Sequence, residues 1–268
     1  MTPNVGVVFR PQSPPEELRA MVAEVEAAGI AELWLWEDCF CEGGLTASAA
    51  ALSWSSSLRV GVGLLPVPLR NPALAAMEIA TLARLWPDRF VVTLGHGVQE
   101  WMAQVGGSVA SPMTLLREYV IAVRRLLDSE EVTIEGTYVR LDRVQLAWPP
   151  VSRPEIIVGA RGPRTIALAG AEADGVLLDT TTDANVVRHA REIVDEARAT
   201  AGRDGASKIY VYTAVDATEN PLSIGPRLAE SLAEFAEAGA DTVLVHGSDA
   251  HPQGRDIVRI LRPLLATE

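Results

Sequence analysis

Residues 59–94 read RVGVGLLPVPLRNPALAAMEIATLARLWPDRFVVTL and hold one complete strand–helix–strand unit. The β-branched run over 59–62 predicts a strand and gives way to a stretch broken by glycine and proline. Asn71 then stands where a helix takes its N-cap, and Pro72 where the first turn tolerates a missing N–H, so a helix is predicted over 71–85. A second apolar run over 90–94 predicts the next strand. Strands returned by a helix lie parallel, since only a crossover of this length carries the chain back to the same edge.

The same alternation extends to both ends of the chain. Further strands are predicted over 4–9, 32–36, 155–158, 175–178, 208–215 and 242–245. Further helices are predicted over 14–28, 45–53, 115–128, 163–171, 183–199, 222–238 and 256–265. Leu18, Met21, Val22 and Val25 form an i, i+3, i+4, i+7 stripe, and Gly29 follows where a left-handed stop belongs. The segments 132–135 and 138–140 flank Gly136-Thr137 and read as a small hairpin inserted after the fourth helix. Eight strand–helix units in about 250 residues give the α/β class and a closed (β/α)8 TIM barrel, one domain over 1–268. An open doubly wound sheet is the alternative.

Apolar residues make up 48% and charged residues 22%, which excludes a disordered or collagen-like chain. Asp and Glu total 35 against 23 Lys and Arg, a net charge of −12 that disfavours nucleic acid and anionic membrane as partners. No apolar run is long enough for a bilayer span and no signal peptide is evident, so a cytoplasmic setting is expected. Only Cys39 and Cys41 are present, which fits a reducing compartment.

In a barrel, chemistry lies at the carboxyl ends of the strands. After the second strand comes Glu37-Asp38-Cys39-Phe40-Cys41. Alternation puts Asp38 on the face of Trp34 and Trp36, where it either joins a pocket wall or caps the following turn. After the third come Gly61 and Gly63, which admit a ligand to the backbone or simply bend a curved strand. After the fourth, Gly95-His96-Gly97-Val98-Gln99-Glu100-Trp101 is no dinucleotide fingerprint, because Glu100 stands at the third glycine position. His96 and Glu100 have no third ligand at firm spacing, so no metal is expected. After the fifth, Gly159-Ala160-Arg161-Gly162-Pro163-Arg164 opens a helix. Its free amides, dipole and arginines make an anion site, or a glycine-rich turn with solvated arginines.

Three of these segments carry a resemblance: residues 58–72 (LRVGVGLLPVPLRNP), 89–97 (RFVVTLGHG) and 157–163 (IVGARGP), with 132–139 (VTIEGTYV) between them as the hairpin. In this order and spacing the chain resembles the bacterial luciferase-like superfamily, most of all its coenzyme F420-dependent branch. The resemblance implies a homodimeric (β/α)8 barrel with F420, or alternatively FMN, across its mouth, acting on a small organic molecule. It implies a bulge with a non-prolyl cis peptide at Gly63-Leu64 behind the ring. Gly159, Ala160, Arg161, Gly162 and Pro163 match the phosphate loop, with Gly95 and Gly97 on the floor. Asp38 matches the acidic position of the second strand, and Glu100 matches a carboxylate that serves as acid in some deazaflavin enzymes, its pKa raised by an apolar site. Trp36, Phe40 and Trp101 would wall the substrate pocket. One departure stands out: relatives often carry histidine where this chain has Cys39, so that role is vacant or falls to Cys39, Glu100 or His96. A flavin monooxygenase and a non-catalytic cofactor-binding barrel are the rival readings.

Overall fold

The computed structural model describes residues 3–218 and 221–265. Eight parallel strands close on themselves in the order β1-β10-β9-β8-β7-β4-β3-β2. They are β1 (Asn4–Phe9), β2 (Glu32–Leu35), β3 (Arg59–Pro66), β4 (Phe90–Gly95), β7 (Glu155–Ala160), β8 (Gly175–Leu178), β9 (Lys208–Val215) and β10 (Thr242–Gly247). The antiparallel hairpin β5 (Val132–Glu135) and β6 (Arg140–Val144) stands outside the barrel. The open-sheet alternative is therefore excluded, because β1 pairs with both β2 and β10.

Among the described residues nine α-helices surround the strands: α1 (Leu18–Ala27), α2 (Gly44–Trp54), α3 (Pro72–Leu85), α4 (Gln99–Gln104), α5 (Pro112–Leu127), α6 (Pro163–Glu172), α7 (Ala184–Thr200), α8 (Pro221–Glu237) and α9 (Gly254–Leu265). Helix α3 starts as its sequence requires: the Asn71 side chain accepts the Ala73 N–H at 2.9 Å. Gly29 adopts φ +73°, the left-handed stop after α1. Two expectations are corrected. The third strand runs on to Pro66, since a register shift between Val62 and Leu65 lets it resume pairing beyond the glycines. Helix α4 is additional, a six-residue element too short to show periodicity. The Gly63–Leu64 peptide is cis, as the resemblance implied, and so is Cys39–Phe40.

Strand alternation divides the core in two. Outward residues such as Val7, Leu33, Val60 and Val92 pack under the helices. Inward residues form a separate cluster of Val8, Trp34, Val91, Ile157, Leu177, Tyr210, Tyr212 and Leu244 that fills the barrel. Its amino-terminal end is closed by polar bonds. Arg59 reaches Glu32 at 3.2 Å and Glu155 at 3.0 Å, while the Tyr210 hydroxyl donates to Glu155 at 2.7 Å. The Trp34 indole N–H donates to Glu32 at 2.8 Å. The interior is thus plugged below, and the opposite mouth is the end left for chemistry.

Candidate functional site

The mouth has an aromatic wall on the β1–β2–β10 side. Trp36 meets Tyr212 edge-on at 5.3 Å and His246 at 5.1 Å. The Arg10 guanidinium lies 5.0 Å over the Trp36 ring. His246 is buried, with Nε2 2.9 Å from Thr180 Oγ1 and Nδ1 2.7 Å from the Gly247 carbonyl. Burial pushes its pKa down, so the ring is held toward the neutral form. The Tyr212 hydroxyl donates to the Gly63 carbonyl at 2.9 Å and pins the β3 bulge from below.

The bulge carries Leu64 across the other side of the mouth. A Cβ built on Gly95 or on Gly159 would fall 2.5 Å from Leu64 Cδ2, so both positions must lack a side chain for Leu64 to lie there. The result is an apolar floor spanning β3, β4 and β7. Beside it, Gly162 caps α6 with Pro163 at its first turn, and space for a Cβ at Gly162 is open. Thr165 and Ile166 both donate to the Gly162 carbonyl, and Pro163 has no N–H. The turn therefore offers fewer free amides than its sequence suggests, and the exposed Arg161 and Arg164 flank it. Arg161 pairs with Asp179 at 2.5 Å. His96 is half-buried nearby, with Nε2 3.3 Å from Thr165 Oγ1, and burial lowers its pKa against an opposing backbone interaction at Pro112.

The loop after β2 splits its acids. Asp38 keeps the inward parity of Trp36 and is half-buried; burial pushes its carboxyl up, with Arg10 pulling the other way. Glu37 turns outward and is buried, taking Arg70 at 2.7 Å from Nη2 and the Gly44 amide at 2.7 Å. Cys39 is half-buried with its thiol pushed up by burial, Glu37 and Asp38, which keeps it from being a thiolate. Two residues sit elsewhere than expected. Phe40 is 66% exposed and walls no pocket within this chain. Glu100 is exposed in the first turn of α4, so the apolar surroundings expected for it are absent. Trp101 is half-buried, and Gly97 takes φ +68° in the turn before α4.

Arg10, Tyr212 and Thr180 were missed by sequence reasoning. The parity that placed Asp38 with Trp36 also places Arg10 above Val8, and so carried the signal. Among the described residues no group of three or more His, Cys, Asp or Glu could hold a metal ion.

The family model of the luciferase-like monooxygenases matches residues 3–223. The 5,10-methylenetetrahydromethanopterin reductase of Methanolobus tindarius is 26% identical over 247 residues, 91% of this chain and 75% of that protein. The F420-dependent hydroxymycolic acid dehydrogenase of Mycobacterium tuberculosis is 29% identical over 262 residues, 92% of this chain and 66% of that protein. Among solved structures, an F420-dependent secondary alcohol dehydrogenase in complex with an F420-acetone adduct superposes with a TM-score of 0.84 at 18% identity, covering 98% of each chain.

Proposed function

The chain belongs to the luciferase-like monooxygenase family, and from that premise we propose that it is an oxidoreductase transferring a hydride between coenzyme F420 and a small organic molecule. The observation that carries the reading is the mouth itself: an apolar floor of Leu64 on Gly95 and Gly159, next to the cationic turn at Gly162. Those features fit a flat ring with an anionic tail. The F420-dependent relatives support this cofactor over FMN. When bound, the deazaflavin supplies a hydride from its central ring.

The protein's own residues then have distinct tasks. Leu64 supports one face of the ring, and Gly63 is held for it by Tyr212. Arg161, Arg164 and the opening of α6 hold the phosphate. Trp36 and His246 exclude water from the opposite side. Asp38 holds or releases a proton at its carboxyl oxygen, and Glu100 is the second candidate for that task. The domain is read as one unit over 1–268. Leu74, Met77 and Leu85 on the outer side of α3 and Trp54 on α2 are exposed, which supports a homodimer. The free Cys39 and Cys41 suit a cytoplasmic setting. Among the described residues no helix is long and apolar enough to cross a membrane.

Titrating the purified protein with oxidised F420 and with FMN tests the reading. F420 is expected to bind at micromolar levels and FMN at least about tenfold more weakly, a gap of about 1.4 kcal/mol. Failure of both to bind below about millimolar would remove the cofactor assignment. Gly159→Ala supplies a sharper check of the floor. Its Cβ meets the movable end of Leu64, so the barrel is expected to fold while Leu64 is lifted into the ring's place. F420 affinity should fall about tenfold by the same titration; an unchanged value would show that the ring does not rest on Leu64.

A further inference from the structure

Arg10 directly follows β1 and shares the inward parity of Val8. Its side chain is 6% exposed. Nη1 donates to the Gly247 carbonyl at 2.9 Å and Nη2 to Asp249 at 2.7 Å. Nε is buried and has no hydrogen-bond partner. A guanidinium offers five N–H groups in a rigid fork, and leaving one of them dry and unpaired is costly. Among the described residues its only carboxylate partner is Asp249, on the loop between β10 and α9, and that side chain is 97% exposed. A carboxylate in open solvent is easily rehydrated, but its departure alone would leave the buried cation uncompensated. The buried cation is fixed, therefore, and its exposed acidic partner can leave in exchange for another anion.

The cation also faces the mouth. It lies over Trp36, which itself packs against His246. Its charge is felt at Asp38 and at His246. These are the groups on the side of the mouth opposite the phosphate turn. With the cofactor's tail at α6, this is the side left for substrate.

We propose that Arg10 determines substrate specificity by binding a carboxylate on the substrate, and that Asp249 holds the place until the substrate displaces it. The inference rests on reading the mouth as a substrate site. Carboxylate is favoured over other anions because a carboxylate is what Arg10 already holds, and the fork matches its two oxygens. Trp36 would lie under the bound group and limit it to a small, flat one.

The test uses the cofactor-free protein, so it does not depend on F420 binding. Tryptophan fluorescence is followed during titration with butyrate and with its neutral isostere butyramide. Butyrate is expected to give a saturable change and butyramide none. Asp249→Asn, a surface change that leaves packing intact, should bind butyrate on the order of tenfold tighter, because its internal competitor is gone. Arg10→Met should abolish the response. Arg10→Lys keeps the charge without the fork and should fall between. Circular dichroism and thermal unfolding establish that each variant is folded. An equal response to acid and amide, an Asp249→Asn affinity no tighter than that of the parent, or a butyrate response that survives in folded Arg10→Met would each overturn the proposal. Butyrate binding with no F420 binding would uphold this site and remove the cofactor reading, so the two fail separately.

Discussion

Asp38→Asn is expected to cut turnover with F420 by on the order of 10²–10⁴-fold, the range a general acid supplies. Affinity for F420 should change little, because an amide retains the size and hydrogen-bonding capacity of the carboxyl group. Asp38 stands two residues beyond Trp36 on the same inward face, half-buried where burial pushes its carboxyl up. A carboxyl held up in this way keeps its proton to higher pH than a solvated one and gives it up within the mouth. Arg10 opposes that rise and keeps the group titratable. Turnover that needs the protonated form should decline as pH rises through the Asp38 pKa, and the residual rate of the variant should lose that limb. Glu100→Gln is the comparison. Glu100 is exposed on α4, outside the barrel mouth's apolar lining. A larger loss in Glu100→Gln than in Asp38→Asn would move the proton to α4, and full turnover in Asp38→Asn would end the role of Asp38.

The barrel was legible because parallel strands buried on both faces read as apolar runs, and each helix carries its own punctuation. Asn71-Pro72 and Gly29 are local signals, and local geometry obeys them. The bulge was less legible. Gly63 and Pro66 read as the end of a strand, yet β3 resumes pairing because β4 offers a partner for Leu65 and Pro66. That partner is a tertiary fact, absent from the segment itself. Arg10 was missed for a related reason: a lone arginine after a strand looks solvated until closure of the ring brings β10 and Trp36 against it. Glu100 went the other way. Its role followed from the resemblance, whereas its exposure depends on where a six-residue helix settles. In the loop after β2, alternation already placed Asp38 on the face of Trp34 and Trp36, but the partner of Glu37, Arg70, lies thirty-three positions along the chain and only the fold brings it there.

That outward half of the loop leads to the largest stability effect. Glu37 is 8% exposed, and its carboxylate joins two elements, accepting from the Arg70 fork after β3 and from the first amide of α2. Arg70→Met removes the cation and leaves a buried carboxylate with one backbone donor. Breaking a buried pair on one side costs about 3–5 kcal/mol, and partial exposure of Arg70 places this case near 3. The thermal midpoint should fall by roughly 6–12 °C for a chain of this size. The double variant Glu37→Met with Arg70→Met removes both charges and should recover much of the loss, since an apolar pair of similar volume replaces a buried ion pair at little cost. Recovery of function should not follow. Glu37 immediately precedes Asp38, and the ion pair is what fixes the backbone from which Asp38 projects. A double variant that is stable but slow would separate the two tasks of the loop, cohesion and aim. One that is both stable and fully active would show that the barrel alone holds Asp38 in position.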